Sequence, residues 1–213
     1  MAYKNIDSII INTSCNLFIE KGYSNVSVNE ICSACSITKP TLYYHFKSKE
    51  DILYEYFRTL IINSVNMISE LKNHNISSDH LSGIASADTN TENSNKHETA
   101  SLNYDGRTLV IEAFNILFSV FTSKGYDITQ AFVSACICDI SKAVYFPEGI
   151  SDAITDYITI GQKDGSIINS SNPDELYFSF CNTFIGYLVY WCQSNGHMDE
   201  NITINKVLSP LFY

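Results

Sequence analysis

The chain has 213 residues, a formal net charge of −10 and a hydrophobic content of 45%, which is ample for a folded core. It contains no run of about eighteen apolar residues and no basic N-terminus followed by an apolar segment. We therefore expect no membrane-spanning helix, no signal peptide and a cytoplasmic location, in which the seven cysteines are reduced thiols.

The first predicted helix runs from about Ile6 to Lys21. Its apolar residues recur at helical spacing and form a stripe that we expect to be buried: Ile9, Ile10, Thr13, Leu17 and Phe18. Gly22 follows at once and is a natural stop, because glycine readily adopts the backbone conformation that ends helices.

Two short helices, each with its own cap, are predicted next. Ser27 and Glu30 form a capping box, in which each side chain accepts a backbone N–H of the other residue. Thr38 can cap a second helix, with Pro40 in the first turn, where its missing N–H costs nothing. A tight turn at residues 36–37 separates the two. This pattern is typical of helix-turn-helix proteins, which lay the second helix in the major groove of DNA.

The second of these helices has one apolar face and one polar face. Leu42 and Phe46 are four residues apart and share the apolar face. The other side carries hydrogen-bonding and stacking groups: Lys39, Thr41, Tyr43, Tyr44 and His45. The tyrosines could instead pack in the core, but neighbouring helical positions point about 100° apart. At least one tyrosine is therefore expected to be exposed.

A long helix is predicted to start at Ser48, whose hydroxyl caps it, with Glu50 and Asp51 against the positive end of the helix dipole. Apolar residues then recur at steps of three and four as far as Leu71. A helix of about 23 residues spans about 35 Å, so this one is long enough to join two domains.

Residues 9–58 resemble the DNA-binding domain of the tetracycline-repressor-like (TetR) family of bacterial transcription regulators. The residues that carry the resemblance are Phe18, Gly22-Tyr23, Ser27, Ile31, Ile37-Thr38-Lys39-Pro40-Thr41-Leu42-Tyr43-Tyr44-His45-Phe46 and Lys47-Ser48-Lys49-Glu50-Asp51-Ile52-Leu53. The chain departs from the family where Cys35-Ser36 replace Ala-Gly, and Pro40 stands where glycine is frequent. Ser36 must therefore make the turn without the conformational freedom of glycine.

The resemblance implies an all-α fold with two domains. Residues 1–47 would form the helix-turn-helix DNA-binding domain, and residues 48–213 a helical ligand-binding and dimerisation domain, joined by the connecting helix 48–71. The side chains expected near base edges are Lys39, Thr41, Tyr44 and His45. Those expected at phosphates are Ser27, Thr38, Tyr43 and Lys49, and Asn29 and Pro40 complete the predicted DNA-binding set.

The charges divide unevenly between the two predicted domains. Residues 1–60 carry six basic and six acidic side chains, whereas the remainder carries seven basic and seventeen acidic ones. The acidic part is expected to lie away from DNA. Because residues 1–60 carry no net charge, this segment must bind DNA through specific side-chain contacts rather than through general electrostatic attraction.

The second half of the chain is predicted to be a polar loop followed by five helices. Residues 73–103 are rich in Ser, Asn and Thr and have few large apolar groups, so we expect a flexible loop. The predicted helices cover about 107–123, 128–144, 151–163 and 173–194, and a short last one starts near 201. Residues 160–175 also resemble TetR-family C-terminal domains.

The helix at 173–194 is apolar almost all round, which indicates burial on more than one side. We expect it to form a homodimer interface, the alternative being a central helix of a monomer. The predicted interface residues are Tyr177, Phe180, Phe184, Tyr187, Leu188 and Trp191.

A ligand pocket is predicted among the remaining apolar residues, since pockets are mostly apolar with a few polar groups. The candidates are Met67, Leu71, Tyr104, Phe114, Phe118, Phe121 and Phe132. Packing in an ordinary core competes on equal terms for each of them. Because the connecting helix belongs to both domains, we expect Met67, Ile68 and Leu71 to transmit ligand binding to the DNA-binding domain.

We find no motif for catalysis, a cofactor or a metal. Cys32 and Cys35 have redox or zinc spacing, but no second pair stands nearby, and small buried thiols explain them better. There is no nucleophile–base pairing, phosphate-binding loop or dinucleotide fingerprint.

The expected function is a ligand-responsive transcriptional regulator that is not an enzyme. It would act as a homodimeric repressor on palindromic operator DNA and be released by an unidentified small molecule. The alternative is a ligand-independent DNA-binding regulator or co-regulator with a filled core.

Overall fold

The computed structural model describes residues 3–72, 104–142, 146–199 and 201–213, and the regular elements in these ranges are all helical. The predicted all-α class is confirmed. The predicted flexible loop 73–103 lies outside the described residues. No helix in the described ranges is long and apolar enough to cross a membrane.

The N-terminal half contains four α-helices. They are α1 (Tyr3–Lys21), α2 (Val28–Cys35), α3 (Lys39–His45) and α4 (Lys49–Ser69), with a short 3-10 turn at Tyr23–Asn25 before α2. The three predicted caps are confirmed. The hydroxyls of Ser27, Thr38 and Ser48 accept the backbone N–H three residues on, at 3.2, 3.3 and 3.2 Å.

The turn between α2 and α3 is made by a residue in the left-handed region. Ser36 has φ 55° and ψ 38°, a conformation that glycine adopts freely but that costs a serine about 1 kcal/mol. The Ile37 N–H donates to the Cys32 carbonyl at 3.0 Å, which closes the end of α2. The departure of this sequence from a glycine at position 36 is therefore accommodated as local backbone strain.

The core of the N-terminal half lies under α3. Ile10, Phe18, Ile31 and Leu42 are each at most 1% exposed, and Phe46 is also buried. Ile9, predicted in the buried stripe of α1, is instead 45% exposed. The buried face of α1 is centred on Ile10 and Phe18, and the neighbouring position points about 100° away from it.

The C-terminal half contains five α-helices. They are α5 (Gly106–Thr122), α6 (Tyr126–Cys138), α7 (Glu148–Asp164), α8 (Pro173–Gln193) and α9 (Ile204–Phe212). The prediction that α6 continues to residue 144 is wrong. Asp139 leaves the helix with φ −135°, and its carboxylate accepts the Ser141 N–H at 3.0 Å, so the chain turns into a 3-10 segment, Ile140–Lys142.

The connecting helix α4 packs against both halves of the chain. Near its middle, the Phe57 ring lies 5.4 Å from that of Phe121 on α5 and 4.3 Å from that of Phe132 on α6. At its far end the buried hydroxyl of Tyr157 on α7 donates to the Ile68 carbonyl. Burial raises the pKa of Tyr157 to about 12, so this donor keeps its proton at neutral pH. The domain boundary at residues 47 and 48 stays a prediction.

Helices α5 and α7 approach each other so closely that their contact requires glycine. A Cβ atom at Gly106 would lie 2.0 Å from the Gly161 backbone nitrogen and 2.5 Å from the Tyr157 carbonyl oxygen. Both obstacles are backbone atoms, which cannot rotate away as a flexible side chain can.

We expect Gly106→Ala to lower the free energy of unfolding by about 3 kcal/mol, because α5 and α7 must separate to admit the methyl group. Denaturant unfolding followed by circular dichroism measures this. Asn115→Ala, on the same helix, is the control, since within the described ranges its carboxamide makes one hydrogen bond, a long one of 3.5 Å to Glu112. It is expected to change stability by no more than about 0.5 kcal/mol. Equal losses in the two variants would contradict the close approach.

Candidate nucleic-acid interface

The second helix of the helix-turn-helix, α3, has the two faces predicted from the sequence. Leu42 is 0% and Phe46 is 6% exposed, so both anchor the helix to the core. Tyr43 is 50% and Tyr44 is 77% exposed. Both rings are therefore on the surface, and the alternative that these tyrosines fill the core is excluded.

Most of the predicted DNA-binding set lies on one exposed surface around α3. The exposed members are Ser27, Asn29, Thr38, Lys39, Pro40, Tyr43 and Tyr44, and Thr41 is half-buried beside them. The hydroxyls of Thr38 and Thr41 lie 2.9 Å apart. We call this surface, residues 27–29 and 38–44, the α3 surface.

Two predicted members, His45 and Lys49, face the protein instead. The His45 side chain is only 8% exposed, and its Nδ1 lies 2.5 Å from a carboxylate oxygen of Asp7 on α1. The Lys49 ammonium donates to the backbone carbonyls of Tyr23 at 2.8 Å and Val26 at 3.0 Å. Both side chains thus hold the helices in place, and their direct contact with DNA stays a prediction that this geometry does not favour.

Two cations of the N-terminal half are paired with carboxylates away from α3. Lys21 pairs with Glu30, and Arg58 pairs with Glu55. Lys39 and Lys47 are both exposed, and neither forms an ion pair with the described residues. Lys39 is the first residue of α3, and Lys47 lies two residues past its last. Lys47 was missed in the predicted set, although its position directly after the helix is a usable signal.

The chain matches a family model over the same segment. Residues 10–58 match the model of bacterial regulatory proteins of the tetR family. The N-terminal segment belongs to the tetR family. The exposed α3 surface lies within this matched segment.

Curated relatives match this tetR-family segment rather than the whole chain. The uncharacterized HTH-type transcriptional regulator YerO of Bacillus subtilis is 42% identical over 64 residues, which are 29% of this chain and 22% of YerO. IcaR of Staphylococcus epidermidis, named as the negative transcriptional regulator of the biofilm operon icaADBC, is 37% identical over 67 residues, covering 30% of this chain and 34% of IcaR. The chain thus covers about a third or less of these relatives.

Solved structures of similar fold extend over nearly the whole chain. Thermus thermophilus FadR, a TetR-family transcriptional repressor in complex with lauroyl-CoA, has a TM-score of 0.66 at 14% identity and covers 96% of this chain and 92% of its own. Bacillus subtilis FadR in complex with stearoyl-CoA has a TM-score of 0.57 at 16% identity, covering 96% and 97%. At such identities the likeness shows that the chain shares the two-domain helical fold.

Three consecutive charged residues in the first turn of α4 connect the tetR-family domain to the rest of the chain. We call residues 49–51 the α4 junction. Besides its two carbonyl acceptors, the Lys49 ammonium lies 4.1 Å from the centre of the Tyr23 ring. Burial lowers the pKa of Lys49 from its ordinary value. The lysine is therefore held by backbone oxygens and an aromatic face rather than by a carboxylate.

The other two members of the α4 junction bond in different directions. Glu50 accepts the Tyr23 hydroxyl at 3.0 Å. Burial opposes the charge on Glu50, but hydrogen bonds from its own N–H, Ser48 and Tyr23 outweigh it and lower its pKa. Asp51 pairs at 2.8 Å with Lys142, which follows α6 and is also 3.3 Å from Asp139. The contact between Asp51 and Lys142 joins the tetR-family domain to the C-terminal half.

The predicted ligand-pocket residues are mostly packed core. Phe114, Phe121 and Phe132 are each at most 2% exposed and lie among other aromatic rings, Phe121 for example 5.6 Å from Phe184. Leu71 is buried, while Tyr104 and Phe118 are half-buried. Met67 differs, because it is 56% exposed and lines a groove of about 310 Å³ between α4 and α5. Phe114, Phe121 and Phe132 are therefore part of the packed core in this structure.

The predicted interface helix α8 turns a different face outward from the one expected. Five of the six predicted residues are at most 8% exposed, and they are Phe180, Phe184, Tyr187, Leu188 and Trp191. They fill the core of the chain itself, so the predicted contact residues need correction, while a dimer interface on α8 stays a prediction. The apolar side chains that α8 exposes are Phe178 at 68%, Ile185 at 36% and Tyr190 at 37%.

The seven cysteines are all free thiols. Burial raises the pKa of Cys15 and of Cys136 to about 12. Cys138, at the end of α6, is exposed and borders a cleft of about 500 Å³ that also includes Gly22. Among the described residues, no group of three or more His, Cys, Asp or Glu side chains could hold a metal ion.

We expect Tyr23→Phe to lower the free energy of unfolding by about 1.5 kcal/mol at pH 7, because the charged Glu50 loses a hydrogen-bond donor. The pKa of Glu50 is lowered from its ordinary 4.5. This stabilisation is therefore present above pH 4.5 and is lost as the pH falls through the lowered pKa. Denaturant unfolding at pH 7 and pH 3 measures both effects.

Tyr54→Phe is the matched control, since its hydroxyl has no hydrogen bond to the described residues. It is expected to leave stability nearly unchanged at both pH values. A loss in Tyr23→Phe that is as large at pH 3 as at pH 7 would show that Glu50 is not the partner that matters.

Proposed function

We propose that the chain is a homodimeric transcriptional repressor that binds a palindromic operator and is released from it by a small molecule. The observation that carries this proposal is the α3 surface, an exposed row of hydroxyl, amide and aromatic groups. It is flanked by Lys39 and Lys47, two exposed cations that form no ion pair within the described ranges. Such groups suit phosphate oxygens and base edges. The curated relative IcaR, named as a negative regulator, supports repression as the direction of control.

Contacts with DNA are divided by position on the α3 surface. Lys39, Thr41 and Tyr44 are proposed at base edges. The phosphate contacts are proposed for Ser27, Thr38, Tyr43 and the added Lys47, with Asn29 and Pro40 beside them. His45 and Lys49 are proposed to set the orientation of α3 from inside the domain. A domain with so few unpaired cations is expected to bind non-specific DNA weakly.

The dimer is proposed to form through the exposed stripe of α8. Phe178 and Ile185 are exposed at helical spacing, the half-buried Val189 follows four residues later, and the exposed Tyr190 adjoins it. A twofold axis through this stripe would present two α3 surfaces to one duplex. Recognition helices about 34–36 Å apart would then read successive major grooves.

Release is proposed to act through α4, which runs from the α4 junction to the packed C-terminal half. A tilt of a rigid helix moves its far end, so a ligand that prefers a tilted arrangement would change the spacing of the two α3 surfaces. The FadR structures, which hold acyl-CoA molecules, support a ligand in this fold. The alternative, a ligand-independent regulator, is favoured by one observation, the dense aromatic packing around Phe114.

We expect Lys47→Ala to weaken operator binding about fivefold at 150 mM salt and to reduce the salt dependence by about one phosphate contact. Lys39→Ala is expected to weaken operator binding about fivefold and to relax discrimination at the base that this lysine contacts. The operator is the duplex that the full chain selects from a random library, and fluorescence anisotropy at several salt concentrations measures binding. Arg58→Ala is the control, because this cation pairs with Glu55. Equal affinities for wild type and both lysine variants would overturn the proposed interface.

We expect Ile185→Glu to convert the dimer into a monomer, because two carboxylates would be buried against each other across the twofold axis. Sedimentation at micromolar concentration measures this. Ile137→Glu is the control, an exposed isoleucine on α6. A wild-type chain that sediments as a monomer, or an Ile185→Glu variant that remains dimeric, would contradict the α8 interface.

A further inference from the structure

The groove between α4 and α5 is less polar than the cleft beside Gly22 and Cys138. On α4 it is lined along one stripe by Leu60, Asn63 and Met67, and on α5 Ile116 and Val120 face them. The positions 60, 63 and 67 fall on one side of a helix. Two apolar stripes thus face each other across about 310 Å³, a volume at the lower end of known ligand sites.

One cation, Lys124, stands at an end of this groove. It follows α5 and is half-buried, and it makes no ion pair with the described residues. No acidic side chain is among the described residues that line the groove. In a C-terminal half that is strongly acidic overall, an apolar groove with one unpaired cation selects for a negatively charged end group on an apolar body.

The two helices run in opposite directions, which fixes the orientation of an occupant. Phe57, in the first half of α4, stacks on Phe121 near the end of α5. Lys124 therefore lies at the end of the groove nearer the DNA-binding domain, and Met67 lies at the far end. The stretch of α4 from Leu60 to Met67 rises about 10 Å. An extended alkyl chain of roughly eight to ten carbons has this length.

We propose that this groove binds a medium-chain carboxylate, with the carboxylate at Lys124 and the alkyl tail between α4 and α5 toward Met67. Asn63, whose carboxamide makes no hydrogen bond with the described residues, is a second donor at the rim. Met67 is exposed and flexible, so it can fold over the tail. The step from binding to release of DNA rests on the proposed function, whereas the binding itself does not.

Decanoate is the probe, and 1-decanol, which has the tail without the charge, is its matched control. Calorimetric titration of the full chain, below the concentration at which decanoate forms micelles, is expected to show one saturable site per chain. Decanol is expected to bind at least fivefold more weakly. Absence of saturable decanoate binding would overturn the proposal.

Two variants locate the site. Lys124→Met keeps most of the side-chain length and is expected to weaken decanoate at least fivefold while leaving decanol unchanged. Asn63→Trp fills the groove from an exposed position and is expected to abolish binding of both. Lys163→Met, an exposed lysine on α7, is the control and is expected to bind as wild type does. If Lys124→Met binds decanoate as tightly as wild type, the proposed site is wrong, whether or not Asn63→Trp folds.

Operator binding is measured in parallel with and without decanoate. Decanoate that binds through Lys124 but leaves operator affinity unchanged would retain the site and overturn its coupling to release. A chain that binds its selected operator but not decanoate would retain DNA binding and overturn the site. The two proposals therefore fail in distinguishable ways.

Discussion

The first turn of α4 fixes how the helix-turn-helix sits relative to everything that follows it. Lys49 holds the backbone of the turn before α2, Glu50 accepts the hydroxyl of Tyr23 in that same turn, and Asp51 pairs with Lys142 beyond α6. Consecutive helical positions point about 100° apart, so these three charges reach two separate neighbours, the turn before α2 and the segment after α6. The α4 junction thus joins the tetR-family domain to the C-terminal half within a single turn.

The contacts of the α4 junction matter because they are partly shielded from water. An exposed ion pair contributes little, since solvent screens it and ordering two side chains costs entropy. Lys49 instead donates to two backbone carbonyls, of which that of Tyr23 also accepts the Val26 N–H at 3.4 Å, and Lys142 is only 17% exposed where it meets Asp51. Removing either partner leaves a half-buried charge or acceptor unpaired, which costs more than the bond itself contributes. Both contacts therefore resist loosening of α4 against its neighbours.

Local sequence signals predicted the helix-turn-helix well because its determinants lie within a few residues of each other. The caps at Ser27, Thr38 and Ser48 follow from side-chain chemistry, and helical spacing alone predicts that at least one of Tyr43 and Tyr44 is exposed. The inward position of Lys49 did not, because its acceptors are carbonyls more than twenty residues away that only the fold brings close. Lys47 was not predicted because its importance depends on the fold. Lys21 and Arg58 are paired with carboxylates, whereas Lys47 forms no ion pair with the described residues.

In the C-terminal half, composition predicted helices but not which side of each faces the core. A helix that is apolar all round, such as α8, has no polar face to orient it, and its neighbours decide. Phe180 and Phe184 turn inward because the ring of Phe114 on α5 lies within 5.6 and 5.1 Å of them. The end of α6 was overestimated for a related reason. The carboxylate of Asp139 accepts the Ser141 N–H, and this bond competes with continuation of the helix. The spacing of apolar residues carries no information about such a bond.

The exposed thiol of Cys138, at the end of α6, allows the chain to be labelled there with a thiol-reactive probe. Cys15, Cys32 and Cys192 are buried. Burial raises the pKa of the partly buried Cys35 and Cys181, and that of Cys136 to about 12, which keeps these thiols protonated and slow to react at neutral pH. Cys138 is accessible and borders the cleft beside Gly22, on the opposite side of the domain junction. A maleimide-linked fluorophore attached there would report the width of this cleft by its emission. Movement of the DNA-binding domain could then be followed in solution without an engineered attachment site.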